Sequence, residues 1–90
     1  MQNPRDLEQR LFAEQPDDIV LAGERLRQQF LGMAPLDRSQ ICDLLLADLA
    51  IILSSSTTPL DPRIATYAAT ANRDWLLRLH DIANDLANEP

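Results

Sequence analysis

The chain has no lysine, a single cysteine, a single histidine and only two glycines. Each scarcity excludes something. With Cys42 alone no intramolecular disulfide can form, so a stapled secreted miniprotein is excluded and a reduced, intracellular setting is expected. His80 alone, with one thiol, gives too few ligands for a metal site, and neither a metal nor a cofactor is expected. No stretch is apolar for long: the run from Leu44 to Leu53 is interrupted by Asp48 and falls well short of the roughly 20 residues that cross a bilayer. The first residues, MQNPRDLEQRLFAEQPDD, lack an apolar signal core and carry acids that a transit peptide avoids, so no targeting segment is expected.

The charge that is present is acidic. Fourteen Asp and Glu stand against eight Arg, for a net charge of −6. Nucleic-acid and anionic-membrane binding both begin from clustered positive charge, and here the arginines are scattered among acids. A basic protein partner fits better. At 46% apolar and 24% charged the composition is that of a soluble globular protein. A chain of this size buries about 60 to 65% of its unfolded surface, so its core is small.

Six prolines, gathered between apolar segments, mark helices joined by short stiff connections. Asn3 with Pro4 predicts an N-cap and a first helical proline, opening a helix that carries Leu7 and Leu11 to about Glu14. Asp17 is expected to cap a second helix with Ile19, Ala22, Gly23, Leu26 and Phe30 at helical spacing, ending near Leu31 with Gly32 in a left-handed C-terminal position. Asp37 and Gln40 resemble a capping box, which puts a third helix at about Arg38 to Leu53. A polar loop follows over Ser54 to Pro59, and Asp61 with Pro62 repeats the cap-plus-proline signal. From there Ile64, Ala68, Ala71, Trp75, Leu79, Ile82 and Leu86 form one stripe at about 100° per residue. A helix from Pro62 to Asn88 would be roughly 40 Å long, against roughly 20 to 24 Å for the two before it. Either it breaks near Asn72, or its end overhangs and offers an apolar stripe to something else. The expectation is one all-α domain over residues 1–90, a small antiparallel bundle of about four helices whose last helix is longest or kinked.

Catalysis has little to work with. There is no glycine-rich phosphate loop, GxSxG or HExxH, Cys42 has no CxxC partner, and His80 falls nearly opposite the apolar stripe, as an exposed surface residue would. No enzyme activity is expected. More informative are the acids beside apolar faces. Asp48 projects between Leu44 on one side and Ile41 and Ile52 on the other. Inside the domain it needs an arginine such as Arg25, Arg73 or Arg78; outside, it sits in an apolar patch that marks a partner surface. Asp74, Asp81 and Asp85 line one flank of the stripe, with Tyr67 two turns further back. That flank is either a solvated edge with an Asp74–Arg78 pair or an acidic rim for a basic cleft.

One segment carries a family likeness. QPDDIVLAGERLRQQFL has a proline before an apolar run and an Ala-x-Glu-x-Leu element at Ala22, Glu24 and Leu26; LDRS follows at Leu36 to Ser39, and Pro62 and Ile64 open the last helix. From Gln15 to about Tyr67 the chain resembles the small immunity proteins of type VI secretion toxin–immunity pairs, in particular those that neutralise NAD(P)-degrading effectors of Pseudomonas. The family's acidic loop before the last helix is replaced here by SSSTTPLDP, which implies a different cognate toxin. The resemblance implies an all-helical bacterial cytoplasmic protein of interbacterial competition. Such a protein binds a secreted toxin domain, one that uses a nucleotide or NAD, and occludes its active site without chemistry. The partner-binding residues expected from the residue pattern are Asp48, Tyr67, Asp74, Asp81 and Asp85. An alternative is a non-catalytic helical adaptor or secretion chaperone acting as a homodimer.

Overall fold

The computed structural model describes residues 3–14, 16–54 and 59–88. They form five helices: α1 (Pro4–Ala13), α2 (Ile19–Leu31), α3 (Pro35–Leu53), α4 (Pro62–Ala68) and α5 (Arg73–Ala87), with no strand among them. The architecture is the expected all-α globule, and the polar loop expected over Ser54 to Pro59 lies, for residues 55–58, outside the described residues.

Local chemistry sets most of the helix starts. The Asn3 side-chain oxygen accepts the Arg5 N–H at 2.9 Å, and Pro4 takes the first-turn position where its missing N–H costs nothing. The Asp61 carboxylate likewise accepts the Arg63 N–H at 2.8 Å ahead of Pro62. Three expectations shift. Asp18, not Asp17, caps α2, accepting the Leu21 N–H at 3.0 Å. The third helix starts at Pro35, because a proline preset to helical φ extends it backward; Asp37 then lies in the first turn, favourable to the helix dipole, and no side chain caps that end. Gly32 is right-handed, with φ −80° and ψ −8°, because the chain leaves α2 by a tight turn in which the Met33 N–H donates to Phe30 O at 3.1 Å.

The long last helix is broken. Beyond Ala68 the Thr70 N–H donates to Tyr67 O at 3.1 Å, and Asn72 caps α5 by accepting from the N–H groups of Asp74 at 2.8 Å and Trp75 at 3.4 Å. An Asn side chain at that point competes with helical continuation. The molecule measures 32 × 27 × 23 Å, so an unbroken helix of roughly 40 Å would have overrun it. The break brings the stripe inside instead of leaving an overhang: Ile64, Trp75, Leu79, Ile82 and Leu86 are all buried.

Helices α3 and α5 pack together at the centre, with α1 against α3 and α4, and α2 against α5. The core joins Leu11 and Phe12 of α1, Leu26 and Phe30 of α2, Ile41, Leu45 and Leu49 of α3, and the α5 stripe. Trp75 is fully buried at its middle. Its indole N–H donates to the Leu11 carbonyl at 3.2 Å, a group in the last turn of α1 that has no partner within its own helix. Replacing Trp75→Phe empties part of this site and strands that carbonyl. The expected loss is about 2 to 4 kcal/mol in urea unfolding followed by circular dichroism. A loss below about 0.5 kcal/mol would show that the indole bond holds nothing.

Candidate protein-docking face

On α5 the residues Asp74, Arg78, Asp81 and Asp85 follow one another at four, three and four positions, which puts them along one face. Helix α2 crosses beside this face with Gly23 opposite Arg78. A Cβ at Gly23 would come 2.7 Å from Arg78 Nε, 3.1 Å from its Cγ and 3.2 Å from Ile82 Cδ1. The missing side chain is therefore what lets the Arg78 stem lie flat across α2. Arg78 Nε is buried there without a hydrogen-bond partner. The expected Asp74–Arg78 ion pair is not among those formed, because Arg78 is drawn onto Gly23; Asp74 stays exposed in the first turn of α5, where its charge suits the helix N-terminus.

The crossing leaves a cleft of about 270 Å³ lined by Gly23, Glu24, Arg27, Arg78, Asp81, Ile82 and Asp85. Three of its residues are acidic and two basic. Arg27 Nη1 lies 3.5 Å from Asp85 Oδ2, a partly exposed pair that water weakens. The two helices that form the cleft also carry exposed apolar side chains. Val20 (61% exposed) and Leu31 (42%) fall on the same side of α2 as Glu24 and Arg27, at spacings of four, three and four, and Leu77 (41%) precedes Asp81 by one turn.

The predicted partner-binding residues separate into three places. Asp81 and Asp85 share the cleft, with Asp74 further along the same flank. Tyr67 is on the other side of the helix break, half-buried beside α1, where it lines a shallow hollow with Asp6, Gln9, Arg10 and Ala13. Asp48 is inside the domain, 8% exposed, and accepts from Arg5 Nη1 at 2.7 Å. Its cation comes from α1 and not from Arg25, Arg73 or Arg78. The same Arg5 nitrogen donates to Glu8 Oε1 at 2.7 Å, and Arg5 Nε lies 3.7 Å from Asp61 Oδ2. Arg5 and Glu8 escape a reading of α1 through Leu7 and Leu11 alone; the available signal is that Glu8 sits one turn before Phe12, which is also wholly buried.

Of the groups considered for chemistry, Cys42 is buried, and burial pushes its thiol above the ordinary range. His80 is half-buried, with Nδ1 4.0 Å from Asp81 Oδ1. Among the described residues no three His, Cys, Asp or Glu side chains are grouped to hold a metal ion, and no helix is long and apolar enough to cross a membrane.

Comparison with protein-family models finds no match, and comparisons with curated proteins and with solved structures find none either. What the architecture defines is a small compact all-helical protein.

Arg5 is the cation on which Asp48 and Glu8 converge, so Arg5→Met leaves two inward carboxyl groups without it. Because Arg5 is one-quarter exposed, the expected loss is about 2 to 3 kcal/mol, below that of a fully buried pair. Thermal and urea unfolding of the variant check this, and unchanged stability would remove Arg5 from the account.

Proposed function

We propose that this protein is a non-catalytic inhibitor that binds a secreted bacterial toxin domain and covers its active site, using the face formed by α2 and α5. The observation that carries the proposal is that the two helices lining a cleft with Glu24, Asp81 and Asp85 also expose Val20, Leu31 and Leu77. Apolar anchors surrounded by charge are the layout of a specific protein interface. The sequence resemblance to type VI immunity proteins supports the same class of partner.

The mechanism follows from charge and shape. Toxin domains that use nucleotides or NAD hold phosphates with basic groups, and an acidic face is complementary to such a cleft. The net charge of −6 speeds capture by long-range attraction, while Val20, Leu31 and Leu77 slow release by burying apolar surface. Occlusion alone then stops the toxin. In this scheme Asp81 and Asp85 meet the partner, and Asp74 extends the acidic flank. Asp48 acts indirectly, by holding α1 to α3.

The test is coexpression with the toxin domain encoded in the neighbouring reading frame, followed by binding kinetics on the purified pair. In Asp81→Arg with Asp85→Arg, association is expected to slow about tenfold or more and to lose its salt dependence. In Leu31→Asp with Leu77→Asp, dissociation is expected to accelerate about 100-fold, with the helical spectrum unchanged. A complex unaffected by both double variants would displace the site from this face. A neighbouring toxin that forms no complex would overturn the function.

A further inference from the structure

The cluster between α1, α3 and α4 has no part in the docking face and has an unusual proton balance. Arg5 Nη1 is 2.7 Å from both Glu8 Oε1 and Asp48 Oδ2, and Arg5 Nε is 3.7 Å from Asp61 Oδ2. One guanidinium thus serves three carboxyl groups. The Glu8 side chain is wholly buried, and its second oxygen, Oε2, has no hydrogen-bond partner. Asp48 is nearly as enclosed, at 12% side-chain exposure, while Asp61 is one-third exposed. With all three carboxyls ionised the cluster would hold two uncompensated negative charges, one of them on an oxygen sealed from water.

We propose that Glu8 is a proton-loaded clasp: in its protonated form it seats α1 against α3 and α4, and its ionisation as pH rises releases α1 locally from the rest of the domain. The proton removes the buried charge and bridges the two carboxyl groups, Glu8 donating to Asp48 while Arg5 neutralises Asp48. The groups facing Glu8 are few. Helix α1 supplies Arg5, α3 supplies Asp48, and the α4 N-cap supplies Asp61; the nearby Arg63–Asp6 pair, at 3.5 Å, is largely exposed at the rim. From α5 the hold on α1 is the uncharged Trp75 indole. Burial pushes the Glu8 carboxyl up to about 8, contact with Asp48 pushes the same way, and Arg5 opposes both. Because that value lies above the ordinary 4.5, the clasp is fully effective below about pH 4.5 and weakens as pH rises toward about 8. Within that window the opening of α1 becomes about tenfold easier per pH unit, then levels off.

Hydrogen exchange of the full chain from pH 6 to 9.5, corrected for intrinsic rates, tests the clasp. Protection of the amides of Leu7 to Ala13 is expected to fall about tenfold per pH unit up to about pH 8, while amides around Leu79 to Ala83 keep theirs. In Glu8→Gln, whose neutral amide donates to Asp48 and accepts from Arg5, α1 protection is expected to stay flat. A flat wild-type profile, an equal loss in α1 and α5, or a Glu8→Gln profile that copies the wild type would each overturn the proposal. Should Glu8→Gln not fold, the carbon-13 titration of the wild-type Glu8 carboxyl decides. A midpoint near 8 supports the clasp, and one between about 4 and 5 overturns it.

Discussion

The structure depends on one buried indole. Trp75 fills the centre of a small core, and its N–H satisfies a carbonyl at the end of α1, 64 residues earlier in the chain. A core this small cannot tolerate an unfilled middle, and a helix as short as α1 has no stability of its own to spare. The indole supplies both needs at once, volume for the core and an anchor for the first helix. For the ring to reach that position α5 has to start at Arg73, and so the preceding helix has to stop. The Asn72 cap and the turn around Thr70 are thus part of the same arrangement as the tryptophan.

Much of this is legible in the sequence because its causes are local. Asn3–Pro4 and Asp61–Pro62 announce helix starts through groups a few residues apart, and the stripe from Ile64 to Leu86 points inward whether or not its helix is continuous. Local signals also explain the small errors. Asp17 and Asp18 offer the same acceptor, and the choice falls to the one whose oxygen meets the Leu21 N–H. Pro35 and Asp37 both suit a helix start, and the proline takes the earlier position. What is not legible is whatever depends on side chains meeting from distant segments. The inward position of Asp48 follows from helical periodicity, but Arg5 as its partner does not, since 43 residues separate them. Likewise the acids of α5 are visible on a helical wheel, whereas the α2 side of the cleft appears only once Gly23 is seen beneath Arg78.

The domain accordingly treats its acids in two ways. Glu8 and Asp48 are turned inward and held by one arginine, where they fix the first helix. Asp81 and Asp85 are turned outward on a helix that also exposes Leu77. Under the proposed docking role the same residue type serves cohesion on one side and recognition on the other, with burial separating the two. Substitutions at the outer acids therefore leave the inner contacts that keep the fold in place.

The order of contacts along the chain has a consequence for how the protein is made. Helix α1 is made before the groups that hold it, Asp48, Asp61 and Trp75, and α2 is made before its partner α5. Helix α1 can therefore dock on α3 and α4 once these have emerged, whereas α2 has its main packing partner only when α5 follows. A chain stalled before residue 73 would carry α1 seated on α3 and α4 without its Trp75 anchor, and α2 without the helix it packs against.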